Sequence, residues 1–260
     1  VEAAANVIAS GAEPLAITDC LNYGDPTDPE IFWELHQSVQ GMADACREFN
    51  TPVISGNVSL YNENNGQAIH PTPMVGMVGL IKNIDRVIPS FVQHPGDKVY
   101  LVGQTRDDYA GSELQKMMTG DISGIVKSFD LHHVHQYMQR LLTTMENGLV
   151  SSAHDLSEGG LGVALAETVF KTDLGLKIDL ADQPATRLFS ETPGRFIVTV
   201  APKKATEFEQ VLGKDAHLIG EVTNSHWLMV KLANGKLNES VAKLQKTWEE
   251  AIPCQLKSKD

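Results

Sequence analysis

Strand-length apolar runs alternate with amphipathic stretches along the whole chain of 260 residues. A chain patterned this way folds into stacked layers, because each sheet face and each helix stripe must be buried against another element. "EAAANVIAS" predicts a helix that stops at Gly11, with Pro14 beyond. "PLAITDCLN" predicts a strand from about Leu15 that ends in turn chemistry at Asn22, Gly24 and Pro26. "DPEIFWELHQSVQGMADACREFN" predicts a helix capped by Asp28 with Pro29 at its first position. Ile31, Leu35, Val39, Met42 and Cys46 recur at helical spacing on that segment and are expected to face a core. Thr51–Ser55 reads as a buried strand, and "TPMVGMVGLI" as a strand whose glycines let something pack close to one face.

Val87–Asp97, with two prolines, a glycine and no periodicity, reads as a domain linker. It divides the chain into an expected first domain of residues 1–91 and a second of residues 92–260. The second opens with the strand "KVYLVG" and continues into an amphipathic helix with Leu131, Val134, Met138, Leu141, Leu142 and Met145 inward. "LVSSAHDLSEGGLGVALAETVF" predicts strand, glycine turn and helix. "GRFIVTVAP", "AHLIGEV" and "HWLMVKL" predict strands, "KKATEFEQVLG" a helix, and "NESVAKLQKTWEEA" a closing helix. The class is α/β, or α+β in layers.

Composition narrows the function. The formal charge is −12 and no basic block stands out, so nucleic acid and anionic membrane are excluded as main partners; phosphate neutralisation needs clustered Lys and Arg. A small phosphorylated substrate is compatible, since backbone amides and Mg2+ neutralise phosphate locally. No apolar run reaches the ~18 residues of a membrane span, and no signal-peptide pattern is present. Cys20, Cys46 and Cys254 are few, odd in number and widely spaced. They predict buried, unreactive thiols and a reducing cytoplasmic compartment rather than disulfides or a zinc knuckle.

The sequence lacks a P-loop, a G-x-G-x-x-G turn and a G-x-S-x-G elbow. Three polar clusters fall at strand ends, where ligands commonly bind: Asp19; Gly56, Asn57 and Ser59; and Asp155 with Gly159 and Gly160. Carboxylate and amide oxygens are hard ligands for Mg2+, and glycine lets phosphate reach backbone N–H groups. The set therefore suits a nucleotide with Mg2+. The same residues also fit a plainer role, with Asp19 and Asp155 capping turns and Gly56-Asn57 forming a bulge. His132, His133 and His135 look like a metal cluster in print but are expected mostly on the solvent side of a helix, with no acidic or Cys partner to complete a ligand set. His36 and His154 are expected to be structural.

Four segments in order, "AITDCLNYGDP", "TPVISGNVSLYNE", "TPMVGMVGLI" and "SAHDLSEGGLGVALAE", resemble the C-terminal half of the formylglycinamidine ribonucleotide synthase (PurL) family in its small form. The resemblance covers nearly the whole chain and is strongest over 12–81 and 151–167. It implies a PurM-type A domain, truncated at its N-terminus, followed by a PurM-type C-terminal α/β sandwich domain. It also implies an ATP-dependent C–N ligase of purine biosynthesis. That enzyme converts formylglycinamide ribonucleotide and glutamine-derived ammonia to formylglycinamidine ribonucleotide, with ATP activating the substrate's amide oxygen. Asp19 and Gly56 match the family's ATP-contacting positions, Asn57 a Mg2+ ligand and Ser59 a substrate contact. The implied partners are the N-terminal half of the same enzyme, the PurQ glutaminase and PurS.

The family's catalytic histidines, its nucleotide-binding lysine and most of its Mg2+ carboxylates belong to the other half, so no catalytic residue is assigned here and this chain alone is expected to be inactive. Asp155 and the "SET" of Ser190–Thr192 resemble second-half counterparts of functional motifs and are not assigned catalysis. Two other functions compete. One is another PurM-type ATP-dependent enzyme, similar to aminoimidazole ribonucleotide synthetase or selenophosphate synthetase; the latter's reactive Cys in a glycine-rich N-terminal segment has no match here. The other is a non-catalytic nucleotide-binding or assembly module.

Overall fold

A computed structural model describes residues 1–257, and the buried-thiol expectation for Cys254 lies outside the described side chains. The chain opens with helix α1 (Glu2–Ala9), whose exit is the left-handed Gly11. Strand β1 (Glu13–Asn22), helix α2 (Pro29–Phe49) and strand β2 (Val53–Ser59) then form a βαβ unit with β1 and β2 parallel. The Asp28 carboxylate accepts from Glu30 N at 2.8 Å, so the predicted cap is in place. A two-residue-stranded hairpin, β3 (Glu63–Asn64) and β4 (Gln67–Ala68), leads to β5 (Thr72–Leu80), which pairs antiparallel with β1. The order of this first sheet is β2-β1-β5.

A three-stranded sheet offers little to bury against, and two expectations fail for that reason. β2 is not a buried strand but an exposed edge: Ile54 is 65% exposed, and only Ser59 is half-buried. The predicted inner stripe of α2 is half-covered at best, with Val39 43% exposed and Phe49 the helix's one buried residue. Cys46, on that helix, and Cys20, on β1, are accordingly half-buried rather than buried.

The predicted linker is irregular, yet it is tied down. Ile88 N donates to Ser10 O, Val92 N to Thr168 O and Gly96 N to Val222 O, and Ile88 and Val92 are buried. Beyond it lie β6 (Lys98–Val102), α3 (Glu113–Thr119), α4 (Leu131–Glu146), β7 (Val150–Asp155) and α5 (Gly160–Glu167). They are followed by β8 (Gly175–Leu180), β9 (Phe196–Val200), α6 (Ala205–Leu212), β10 (Ala216–Thr223), β11 (Trp227–Leu232), β12 (Gly235–Ser240) and α7 (Val241–Lys257). Seven strands form one sheet in the order β12-β11-β8-β10-β6-β9-β7. Residues 238–240, expected to start the closing helix, end β12, because "GKLNES" pairs with β11 across a hairpin.

Alternation along β6 shows how the sheet is covered. Tyr100 and Val102 face a core built with α1, α4 and α6; Val99 and Leu101 face a second core built with α5 and α7. The first core also takes in Ala4, Ala5 and Ile8 of α1 and Phe49 of α2, so it joins the smaller sheet's helices to the larger sheet.

Candidate functional site

The parallel register of β1 and β2 sets Asp19 beside Gly56, Cys20 beside Asn57 and Asn22 beside Ser59. Cross-strand neighbours share a sheet face and successive residues alternate. Asp19 and Gly56 therefore lie on the face of Ile17, Met77 and Val75, which turns toward α1 and α2. Asn57 and Ser59 lie on the opposite face with Cys20, Asn22 and Met74. The four candidate residues are thus gathered at the C-terminal ends of two adjacent parallel strands, split two and two between the faces.

Why glycine stands at 56 is a matter of space. A Cβ there would lie 2.0 Å from Asp19 Oδ1, so the carboxylate rests directly against bare backbone. Gly24, in the turn that follows β1, is held as closely: a Cβ would lie 2.7 Å from the Ala68 methyl and 2.8 Å from Ile31 Cδ1. Asn57 is exposed, and among the described residues its side chain makes one weak hydrogen bond, from Nδ2 to Cys20 Sγ at 4.0 Å. Its carboxamide oxygen is open. Ser59, half-buried, bonds to Asn62, a residue that sequence reasoning missed. Nothing but its place in a polar turn could have marked Asn62 beforehand.

Charge decides what this surface can hold. Residues 1–81 contain ten Asp and Glu but one cation, Arg47, which is bridged to Asp44 at 2.9 Å. That stretch carries −9 of the chain's −12. It offers hard oxygen acceptors and a close-approach backbone, but nothing of its own to neutralise a phosphate. Among the described residues no group of three or more His, Cys, Asp or Glu side chains could hold a metal ion. Asn57 fits Mg2+ as one neutral oxygen ligand contributed to a site completed from elsewhere.

The third predicted cluster belongs to the larger sheet. Asp155, at the end of β7, is half-buried, and burial pushes its carboxyl above the ordinary carboxylate range against the opposing pull of His154. The Asn6 carboxamide lies against it, with its nitrogen, in the orientation that satisfies both groups, 3.0 and 3.1 Å from the two oxygens. Glu191 Oε1 accepts from Gly159 N and from Glu113 N, both at 2.9 Å. Arg195, fully buried, donates to Thr192 O, Ser190 O and Thr105 Oγ1 and so fixes the loop that carries Glu191. Its guanidinium is pushed down to about 10 by burial and stays charged at neutral pH.

The histidines of α4 are not simply solvated. His132 and His135 direct Nδ1 to the same Glu48 Oε1, at 2.8 and 3.1 Å, and His133 Nε2 meets the buried Asp215 at 3.0 Å. They gain acidic neighbours because the polar flanks of α4 pack against α2 and the segment after α6, but among the described residues no group of three or more such side chains could hold a metal ion. His36 is exposed, and His154 Nδ1 lies 2.6 Å from Asp155 O.

Comparison with known proteins matches this geometry to a family. The AIR synthase related protein N-terminal domain matches residues 1–81, and the AIR synthase related protein C-terminal domain matches residues 94–231. The phosphoribosylformylglycinamidine synthase subunit PurL of Limosilactobacillus reuteri is 96% identical over 260 residues, which is 100% of this chain and 35% of that protein. The chain thus spans about a third of its relative's length. Solved structures of T. maritima PurL share the fold. The complex with FGAR has a TM-score of 0.71 at 24% identity, covering 92% of this chain and 41% of that one. The complex with ATP has 0.69 at 24%, covering 93% and 39%. PurLQS from T. maritima has 0.68 at 22%, covering 93% and 40%. The layered α/β architecture with two consecutive domains of this type agrees with the expectation from sequence.

Proposed function

This chain belongs to the AIR synthase related protein family, and from that premise we propose that it is the C-terminal half of a formylglycinamidine ribonucleotide synthase. The observation that carries the proposal is the 96% identity, along the entire chain, to a relative of that name. The reaction joins formylglycinamide ribonucleotide, ATP and ammonia to give formylglycinamidine ribonucleotide, ADP and phosphate. ATP phosphorylates the amide oxygen; ammonia then displaces the phosphate at the same carbon.

Within this scheme Asp19 and Gly56 contact ATP, with the Asp19 oxygens acting as acceptors packed against the side-chain-free Gly56 backbone. Asn57 would hold Mg2+ through its open carboxamide oxygen, and the ion would supply the positive charge that residues 1–81 lack. Ser59 hydrogen-bonds the substrate. The division of the chain at residues 91 and 92 is part of the proposal, supported by the separation of its two sheets into residues 13–80 and 98–240.

The partners follow from what is uncovered. Ile54, Met74, Val78 and Trp33 are more than half exposed on or beside the small sheet. Exposed large apolar side chains of this number are ordinarily covered by a partner, and the rest of the same enzyme is the occupant proposed here. PurQ and PurS are proposed as the ammonia-supplying subunits. The half-buried free thiols Cys20 and Cys46 suit the reducing cytoplasm.

The test compares the full-length protein with this chain. The full-length protein, given formylglycinamide ribonucleotide, ATP, Mg2+ and ammonia, should release ADP in step with amidine formation. The 260-residue chain should do neither, since most positioning groups are missing. Absence of substrate-dependent ADP release by the full-length protein would refute the assignment.

A further inference from the structure

Where β2 ends, one side chain closes the site. Asn62 Nδ2 donates to Ser59 O at 2.9 Å and to Tyr23 O at 3.0 Å, the carbonyls at the ends of β2 and just past β1. The same carboxamide meets the Ser59 hydroxyl, with Oδ1 at 3.2 Å and Nδ2 at 3.1 Å. An NH2 group has two protons, and here the two carbonyls are its nearest acceptors. That leaves the Ser59 proton to be donated to Oδ1, which fixes the hydroxyl's rotor and leaves its lone pairs for a ligand.

The backbone around Asn62 is arranged for this. Tyr61 sits at φ 60, a left-handed conformation costly for a residue with a side chain. It is held there by Tyr61 N donating to Gly24 O at 2.9 Å and Asn62 N donating to Tyr23 O at 3.1 Å. Tyr23, fully buried, is in turn hydrogen-bonded through its hydroxyl to Ser38 of α2. The strained turn thus aims one carboxamide at two carbonyl acceptors, Tyr23 O and Ser59 O, and at one donor, the Ser59 hydroxyl.

We propose that Asn62 is the positioning residue of the substrate subsite: it orients the Ser59 hydroxyl and locks the ends of β1 and β2 at a fixed separation. This rests on the assignment of Ser59 to the substrate. Asn62 itself touches no reacting atom.

The test is a double-mutant cycle in the full-length enzyme, with steady-state kinetics for formylglycinamide ribonucleotide and for ATP. Ser59→Ala and Asn62→Ala should each raise the KM for formylglycinamide ribonucleotide by about 10-fold, the scale of one lost neutral hydrogen bond. The double variant should be no worse than either alone, because the two act as a unit. The KM for ATP should not move. Asn62→Ser, which can serve only one carbonyl, should fall between wild type and Asn62→Ala, and it decides the question if Asn62→Ala does not fold. Additive effects, an equal rise in the KM for ATP, or wild-type kinetics in the Asn62 variants would overturn the proposal while leaving Ser59 in place. An unchanged KM in Ser59→Ala would overturn the Ser59 assignment itself, and this inference with it.

Discussion

The Asp19 carboxylate lies against the bare α-carbon of Gly56, so close that a methyl group added there would fall 2.0 Å from Oδ1. Gly56→Ala must therefore displace the carboxylate or the strand. In the full-length enzyme this substitution should raise the KM for ATP by ~10–10²-fold, the scale of a misplaced binding group, and cost ~1–3 kcal/mol as overpacking. Removing the opposing oxygen should restore the fold without restoring the site. The Gly56→Ala/Asp19→Ala double variant is expected to melt near wild type yet bind ATP poorly. A double variant as unstable as Gly56→Ala would show that the crowding lies elsewhere.

Asn57 is exposed and its amide oxygen is unengaged, so replacing it should leave the fold intact. Asn57→Leu and Asn57→Gly in the full-length enzyme should both lose ~10²–10³ in rate, by analogy with the loss of one electrostatic stabiliser. Both should also shift the Mg2+ requirement upward. A turn-forming role makes the opposite forecast for Asn57→Gly, since glycine tolerates unusual backbone angles better than asparagine. A Mg2+ titration of both variants, with thermal melting as the folding control, separates the two roles.

Asp215 is fully buried between Arg140 and His133, and Gly103 N donates to its carbonyl at 2.9 Å. Removing one member of a buried ion pair strands the other, so Asp215→Ala should destabilise the chain by ~3–5 kcal/mol. Asp215→Asn, which keeps one oxygen acceptor, should cost less. Denaturant midpoints at constant slope measure both, and equal costs would mean that charge is unimportant there.

Glu48 receives Nδ1 of both His132 and His135, and these hydrogen bonds hold its carboxyl below the usual carboxylate range. A carboxyl with a lowered folded value stabilises the fold above its unfolded pKa of ~4.3 and loses that contribution as pH falls through the folded value. Glu48→Gln should therefore melt below wild type at pH 6–7, and the gap should close as the solution is acidified below the carboxylate range. A gap that does not change with pH would assign the effect to packing.

Legibility from sequence followed burial. α4 was largely readable: Val134, Met138, Leu141, Leu142 and Met145 proved buried in a two-sided fold, Leu131 only half-buried, and Tyr137 and Thr144 joined them unforeseen. β2 was not, because Val53, Ile54 and Val58 look like core residues yet lie exposed on the edge of a three-stranded sheet. The segment "GKLNES" forms β12 although it mixes charge with few apolar positions; it is an edge strand, and edge strands carry weak periodicity. At the candidate site, residue types and strand-end placement were legible. The division of Asp19 and Gly56 from Asn57 and Ser59 by sheet face was not, since it depends on the register of two strands joined through a 21-residue helix. Asn62 was hidden for a related reason: its hydrogen-bond partners are contributed by residues 23 and 59 and come together only when the strands pair.

The charge of residues 1–81 sets a condition on the order of events. A surface with ten carboxylates and one guanidinium repels a polyphosphate at every distance shorter than the screening length. If the compensating cations arrive with Mg2+ and the remainder of the enzyme, nucleotide and remainder each strengthen the other's hold by the same factor, as linkage requires. On the proposed assignment, the unassembled half should hold ATP more weakly than the assembled enzyme, and the electrostatics of a strand end would couple nucleotide binding to assembly.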